Sequence, residues 1–181
     1  MIIKCTAPIR ICDLGGWTDT WFAGTGKVLN LAVFPSVEVT VVTRPKKPRD
    51  PQITIYAENY QDVYDIKSTG KAWTKHPLIE AGFKLFKLPP PLHLDVTIFS
   101  EAPAGASTGT SAAVSVAILG ALDLLGTRSL TSYELARKAH YVESGLLGIQ
   151  SGIQDQLCSA YGGINYIEMT KYPEASVSPI N

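Results

Sequence analysis

A run of small and hydroxylated residues between two apolar segments has the composition of a polyphosphate-binding loop. It contains, in succession, Gly105, Ala106, Ser107, Thr108, Gly109, Thr110 and Ser111. Small side chains let a ligand approach the backbone, and the first N–H groups of a following helix are unpaired donors at its positive end. A hydroxyl of Thr110 or Ser111 could bind a phosphate oxygen or magnesium. The run is not a Walker A loop, since no lysine follows the glycine. Taken alone, it fits an ordinary capped helix at least as well.

A second group of residues near the start has the types that bind carbohydrates. A strand delivers Arg10, and a Gly15-Gly16 turn then presents Trp17, Thr18 and Asp19. A carboxylate accepts hydrogen bonds from vicinal hydroxyls, and an indole can cover the apolar face of a sugar ring. In isolation the same residues fit a hairpin capped by an Asp turn equally well.

Two acids in the second half of the chain complete the candidates. Glu143 shares one helical face with Ala136 and His140, so it could bind a metal. Considered alone, it is better explained as a solvated surface acid. Asp155 lies near the predicted start of a helix, where the dipole stabilises an acid whether or not it does chemistry. The functional interpretation of Asp155 therefore depends on the other two groups.

The elements that must position these residues are indicated by hydrophobic pattern and turn signals. Paired strands are predicted at Val28–Val33 and Val37–Thr43, and further strands at Gln52–Ala57, Val63–Ile66, Leu92–Phe99 and Ile164–Glu168. Helices are predicted from Pro77, over Thr110–Leu125, from a capping box at Thr131–Glu134, and after Gly152. The tail, Pro173–Asn181, shows no pattern. This order indicates an α+β fold, a two-layer sheet with helices on one face.

Composition restricts the partners. The 181 residues are 45% hydrophobic, enough for one ordinary core. Sixteen basic and sixteen acidic residues give a net charge of zero, which predicts neither a nucleic-acid nor a membrane partner. No apolar stretch has membrane-spanning length, and the start does not have the pattern of a signal peptide. The three scattered cysteines indicate no disulfide framework or zinc site, so a cytoplasmic protein with reduced thiols is expected.

Taken together and in this order, the three groups resemble the GHMP kinases, named for galactokinase, homoserine kinase, mevalonate kinase and phosphomevalonate kinase. Ala7–Asp19 resembles the first motif of the family. Its form is closest to the branch of D-glycero-D-manno-heptose 7-phosphate kinase and L-fucokinase, since galactokinases have Gly-Glu-His-Thr-Asp there. Pro103–Ala113 resembles the phosphate-binding second motif. Gly152–Gln156, which runs into Ala160–Asn165, resembles the Gln-Asp-Gln segment of the branch.

The resemblance implies roles for these positions. Asp155 would be the general base that takes the proton from the acceptor hydroxyl, or a carboxylate that orients it, and Arg10 would stabilise the transferring phosphoryl group. Trp17, Thr18 and Asp19 would bind the sugar. The loop from Gly105 to Ser111 would wrap the phosphates of ATP, and Ser111 (or Thr110) with Glu143 would hold Mg²⁺. Such transfer depends mainly on alignment and charge neutralisation.

The implied fold is the GHMP kinase N-terminal domain, which is ribosomal protein S5 domain 2-like. The implied activity is transfer of the γ-phosphate of ATP to a sugar hydroxyl, with the anomeric hydroxyl of a heptose 7-phosphate favoured and L-fucokinase second. Ser107 stands where the family commonly has glycine. Family members are also longer, with a second domain that closes the cleft. Residues 1–181 are therefore expected to be the N-terminal domain, and a C-terminal domain or a partner chain is expected to complete it.

Two other classes of function stay open at this point. A non-catalytic ATP- and sugar-binding homologue would keep the fold without turnover, and Ser107 and the chain length motivate it. A ribosomal-type nucleic-acid module would share the general fold, although zero net charge argues against it. Asn59 and Trp73 could contact the nucleotide, but the residues alone do not decide this.

Overall fold

The computed structural model describes residues 1–66, 73, 75–103, 105–126 and 129–180. Seven strands are present in these ranges: β1 Ile2–Leu14, β2 Gly26–Pro45, β3 Ile53–Ala57, β4 Asp62–Ile66, β5 Leu92–Ser100, β6 Ile164–Lys171 and β7 Glu174–Ile180. The helices are α1 Pro77–Lys84, α2 Thr110–Leu125, α3 Ser132–Tyr141 and α4 Gln154–Tyr161. A short 3-10 turn covers Glu58–Tyr60, and a π-helical turn, Val142–Leu146, continues α3.

The strands form one mixed sheet in the order β4-β3-β5-β2-β6-β7, and β1 also pairs with β2. The long strand β2 organises this sheet, since its first half pairs with β6, its second half with β5, and nearly its whole length with β1. The β3–β5 pair is parallel and the others are antiparallel. The predicted α+β architecture with helices against the sheet is confirmed.

Two local predictions were wrong. Val28–Val33 and Val37–Thr43 do not pair with each other, because both belong to β2, which continues through Pro35. A proline cannot donate to a ladder, and the β1–β2 register shifts between Pro8 and Ile9, close to this point. The tail also contains a strand, β7, which lies at the sheet edge and has no fully buried residue. An edge strand needs no buried alternation, so its pattern gave no signal.

The core lies between the sheet and α2. Val37, Val39, Val41, Leu94 and Val96 of the sheet are fully buried, and they belong to one cluster with apolar residues of α2. Because α2 also contacts α1, α3 and α4, it is apolar almost all round. The central position of α2 fixes the direction of its first turn, at the end of the loop that follows β5. No helix in the described ranges is long and apolar enough to cross a membrane.

Candidate active site

The loop before α2 has the backbone of an anion-binding site. Gly105, Ser107 and Gly109 have positive φ angles of 77°, 56° and 72°. Alternation of this kind turns successive N–H groups towards one side. The N-cap residue of α2 is Gly109, which has no side chain to cap the first turn that begins at Thr110. Among the described residues, the N–H groups at this helix start can therefore add to those of the loop. Ala104 lies outside the described residues. The remainder of the predicted phosphate segment therefore has the geometry that a polyphosphate needs.

Arg10 and Asp155 meet at this loop, although 145 residues separate them. Arg10 Nε donates a hydrogen bond to Asp155 Oδ1 at 2.7 Å. Arg10 Nη1 donates to the carbonyl of Ser107 at 2.7 Å, and the backbone N–H of Arg10 donates to the carbonyl of Thr108 at 2.9 Å. One residue of β1 thus connects the loop before α2 to the first turn of α4. The two side chains are only 18% and 24% exposed, which strengthens their attraction relative to a surface pair.

Gly109 shows how closely the ion pair lies against the start of α2. A Cβ atom added to Gly109 would lie 3.2 Å from Arg10 Cγ and 3.2 Å from Asp155 Oδ2. A positive φ and a close approach therefore both favour glycine at this position. The Asp155 carboxylate therefore faces the start of α2, where phosphate binding is predicted.

Asp19 lies at the other side of the α4 start, and it is buried with 3% exposure. Its Oδ2 accepts a hydrogen bond from the backbone N–H of Gln154 at 2.9 Å. A Cβ on Gly152 would lie 2.1 Å from the same oxygen, so this approach requires glycine. Burial raises the pKa of Asp19, while hydrogen bonds from backbone N–H groups such as that of Gln154 lower it. Asp19 is therefore a long-range cap of α4 as well as a neighbour of Asp155.

Trp17 and Thr18 have different environments from Asp19. The Thr18 hydroxyl donates to the carbonyl of Gly15 at 2.7 Å, so it is used to hold the turn. Trp17 has a φ of 71°, is 73% exposed, and stacks on Phe22 with ring centroids 6.4 Å apart. Of the three residues predicted to bind the sugar, the structure thus brings Asp19 to the neighbourhood of Asp155, exposes Trp17 and turns Thr18 towards the backbone.

Glu143 lies in the π-helical turn and is buried, not solvated as the residue alone suggested. Its Oε2 accepts hydrogen bonds from Ser151 Oγ at 2.6 Å and from Gln156 Nε2 at 2.9 Å. Its Oε1 is buried with no hydrogen-bond partner in the described part of the chain. Burial raises the pKa of Glu143. The negative charge of Asp155 also raises it, while Ser151, Ser111 and Gln156 lower it.

The free oxygen of Glu143 suits a magnesium ion shared with a nucleotide. Carboxylate and hydroxyl oxygens are donors that Mg²⁺ accepts, and Mg²⁺ commonly takes one or two of them together with substrate phosphates and water. Glu143 Oε1 has no partner, and the Ser111 hydroxyl is close enough to lower the pKa of Glu143. Within the described ranges no three His, Cys, Asp or Glu residues form a metal cluster. Glu143 and Ser111 are therefore the residues here that could contribute oxygen ligands to Mg²⁺.

A cleft of about 560 Å³ continues from the loop before α2. Its walls come from segments that are far apart in sequence: Ala57, Asn59, Tyr60, His76, Pro77, Leu78, Ile79, Ile98, Ser100, Glu101, Ala102, Pro103, Gly105, Thr110, Ser111 and Val114. The Asn59 amide donates to the carbonyl of Ser100 at 2.6 Å and accepts from its N–H at 2.8 Å, so it fixes one wall. Trp73 packs under Lys84 instead. No local pattern in the sequence could have identified a cleft assembled from so many segments.

Comparison with known proteins links this geometry to a family. Residues 76–163 match the model of the GHMP kinases N terminal domain. The chain is 27% identical over 184 residues to D-glycero-alpha-D-manno-heptose 7-phosphate kinase of Campylobacter jejuni. This alignment covers 98% of the chain and 54% of that protein. It is also 43% identical over 79 residues to mevalonate kinase of Pyrococcus horikoshii, and this shorter alignment covers 44% of the chain and 23% of that protein.

A solved structure gives the same result for the fold. The crystal structure of a D-glycero-D-manno-heptose 1-phosphate kinase from Bacteroides thetaiotaomicron superposes with a TM-score of 0.81 at 26% identity. The match covers 100% of this chain and 60% of the other. The chain therefore spans only a little more than half the length of the relatives that it matches from end to end.

Proposed function

Because residues 76–163 match the model of the GHMP kinases N terminal domain, we propose that the chain belongs to an ATP-dependent sugar kinase of this family, which transfers the γ-phosphate to a sugar hydroxyl. One observation carries the proposal. The ion pair between Arg10 and Asp155 lies against Gly109, where an open helix start and a loop with alternating positive φ angles can hold phosphate.

The nucleotide would bind along the loop and the adjoining cleft. The cleft is large enough for a nucleoside, and its walls are mainly apolar with a few polar groups such as Asn59 and His76. Thr110 and Ser111 line it at the end where α2 begins. This continuity supports a pose in which the base and ribose occupy the cleft and the phosphates reach the first turn of α2.

The acceptor hydroxyl would approach Asp155. A carboxylate can take its proton as the oxygen attacks the γ-phosphorus, and the bond from that phosphorus to the β,γ-bridging oxygen breaks to release ADP. Arg10 would stabilise charge on the transferring phosphoryl group from its fixed position between the loop and Asp155. Since Arg10 is bonded to both, it sets the distance between base and phosphate, and alignment is the main requirement of this reaction.

Magnesium would be held by Glu143 and by Ser111 or Thr110. When bound, it would neutralise charge on the phosphate oxygens. Glu143 could bind a cation through Oε1, because its Oε2 is held by Ser151 and Gln156 while Oε1 has no hydrogen-bond partner among the described residues. The buried carboxylate has a raised pKa, so cation binding would favour its ionised form.

The sugar that we favour is a heptose 7-phosphate, phosphorylated at its anomeric hydroxyl, with L-fucose as the alternative. Two relatives that match the whole chain are heptose phosphate kinases, and this supports the choice. Asp19, beside the α4 start, is the candidate for contact with sugar hydroxyls, and Trp17 is exposed for contact with a ring. Thr18 would support both through the turn.

Residues 1–181 would form the ATP- and sugar-binding N-terminal domain, with a further domain or a partner chain closing the cleft. Exposed aromatic side chains support this: Trp17 is 73% exposed, Phe22 63% and Phe34 89%. Apolar groups of this size are more common where another surface packs.

The test is an assay of the full-length protein with Mg²⁺-ATP against a panel containing the heptose 7-phosphate, L-fucose, galactose and mevalonate. We expect turnover of one sugar, and Asp155→Asn should lower kcat by ~10²–10⁴-fold. Asp123→Asn is the matched control. Asp123 lies at the other end of α2, where it accepts hydrogen bonds from the backbone N–H groups of Ser129 and Leu130. Normal turnover of Asp155→Asn would remove the proposed base. ATP binding by calorimetry with no ADP release from any acceptor would favour a non-catalytic homologue.

A further inference from the structure

Gln154, the residue before Asp155, makes a set of contacts that the proposed mechanism does not use. Its backbone N–H donates to Asp19 Oδ2 at 2.9 Å, and its side-chain Nε2 donates to Asp155 Oδ1. It is buried, with 6% exposure. One residue therefore contacts both acids at the start of α4.

Asn30 of β2 fixes which end of the Gln154 amide faces Asp155. Its Nδ2 donates to the backbone carbonyl of Gln154 at 3.0 Å and to Gln154 Oε1 at 3.0 Å. Both N–H groups of Asn30 are thus used on Gln154. Because Oε1 must face the Asn30 donor, the Gln154 NH₂ group must face Asp155. Asn30 is fully buried, so water does not compete for these bonds.

The two donors that contact Asp155 share one oxygen. Arg10 Nε and Gln154 Nε2 both bond Oδ1. Among the described residues no donor bonds Oδ2, and this oxygen is the one that lies towards Gly109. The two bonds come from different elements, β1 and α4, so together they fix the plane of the carboxylate and leave one lone-pair edge open towards the phosphate loop.

We propose that Gln154, held in orientation by Asn30, is a positioning residue that aims the free oxygen of Asp155 at the acceptor hydroxyl. The inference rests on the proposed kinase function and adds to it the atom that accepts the proton and the residues that orient it. A base displaced by about 1 Å can lose ~10²-fold in rate, so an amide that sets the carboxylate plane has a kinetic effect of its own.

Two substitutions test the arrangement in the full-length protein. Gln154→Met keeps the length of the side chain and removes the donor to Asp155. Asn30→Asp is nearly isosteric but replaces a donor with an acceptor, so the Gln154 amide must turn and present Oε1 to the Asp155 carboxylate. We expect each to lower kcat by ~10–100-fold with the KM values for ATP and sugar within about twofold of wild type. The double variant should be no slower than the slower single variant, because both act on one contact.

Asn165→Asp is the matched control. Asn165 is also fully buried, pairs with Asn30 across β2 and β6, and donates to the carbonyl of Gly162 instead of Gln154. It should lose thermal stability as Asn30→Asp does and keep its kcat. If Asn30→Asp is too unstable to assay, Gln154→Met decides the result, since it introduces no charge.

The outcomes separate this inference from the function on which it rests. Wild-type kcat in Gln154→Met, or a loss seen only as a higher KM, would overturn the positioning role while sugar phosphorylation by the wild type stands. Effects of the two substitutions that multiply in the double variant would overturn the link through Asn30. Absence of turnover by the wild type on every acceptor would end the kinase proposal itself and this role with it.

Discussion

Two carboxylates face the start of α2, and they differ in the groups that contact them. Asp155 is paired with Arg10 and is about a quarter exposed. Glu143 is buried, and the groups that contact it are neutral hydroxyl and amide donors. A paired carboxylate has its charge compensated by the protein, whereas a buried one without a cation has a raised pKa and one oxygen without a partner.

The contrast suggests that the two acids have different roles. Arg10 compensates the charge of Asp155 from within the chain, so in the proposed reaction this acid would accept the substrate proton without any added ion. Glu143 lacks such compensation among the described residues, so a cation from outside would complete it. Four experiments test this contrast.

The largest effect is expected from removing the compensation at Asp155. Arg10→Ala deletes the bond to Asp155 and the bond to the Ser107 carbonyl, and it should lower kcat by ~100-fold or more in the full-length protein. Arg10→Lys keeps the charge but cannot make both bonds from one planar group. Its kcat should therefore lie between that of the wild type and that of Arg10→Ala. Steady-state kinetics with Mg²⁺-ATP measure this.

Arg44→Ala is the control for a lost arginine. Arg44 also lies in the sheet and pairs with Asp50 and Asp95, far from the loop. Its removal should leave kcat unchanged. Equal losses for the two arginines would show that the Arg10 effect is general destabilisation, and the contrast between the acids would fail.

The next effect concerns Glu143. Glu143→Gln fits the observed bonds, since its carbonyl can accept from Ser151 and Gln156 as Oε2 does. It should weaken the apparent affinity for Mg²⁺ by at least ~10-fold in a titration of activity. An unchanged Mg²⁺ dependence would remove Glu143 from the metal site.

The same variant tests the pKa of Glu143 without any assay of activity. Burial raises this pKa above its ordinary value of 4.5, so the folded state binds more protons than the unfolded state in the interval between the two values. Stability without Mg²⁺ should therefore fall as the pH rises through that interval. In Glu143→Gln this contribution should be absent from the dependence of Tm on pH.

Glu134→Gln gives the opposite sign as a control. Hydrogen bonds from Thr131 lower the pKa of Glu134, so its contribution to stability is present above its ordinary pKa and is lost as the pH falls through the lowered value. If Glu143→Gln had the wild-type dependence of Tm on pH, the pKa of Glu143 would not be raised in the folded protein.

The smallest effect compares two glycines of the phosphate loop. Gly109→Ala and Gly105→Ala both place a Cβ at a φ above +70°, which costs about 1 kcal/mol each. A Cβ on Gly105 meets nothing within 4 Å, whereas one on Gly109 presses on Arg10 and Asp155. Gly109→Ala should therefore destabilise by at least ~1 kcal/mol more, measured by chemical denaturation. Equal losses would mean that the ion pair is not held against the helix start.

Much of the fold could be predicted from the sequence, for local reasons. The capping box at Thr131 and Glu134, the apolar helix Thr110–Leu125 and the strand from Leu92 were all confirmed, because caps and periodicity are properties of neighbouring residues. The continuity of β2 through Pro35 and the edge strand β7 were not, because both depend on which strand lies alongside.

The candidate site divides in the same way. Residue types and spacing by themselves determined a small-residue loop entering a helix, an arginine on an early strand, and an acid in the first turn of a late helix. Only the tertiary structure decided that Arg10 reaches Asp155, that Asp19 caps α4, and that Glu143 is buried with one free oxygen. Desolvation and ion pairing depend on groups brought together from distant parts of the chain, and no local pattern contains that information.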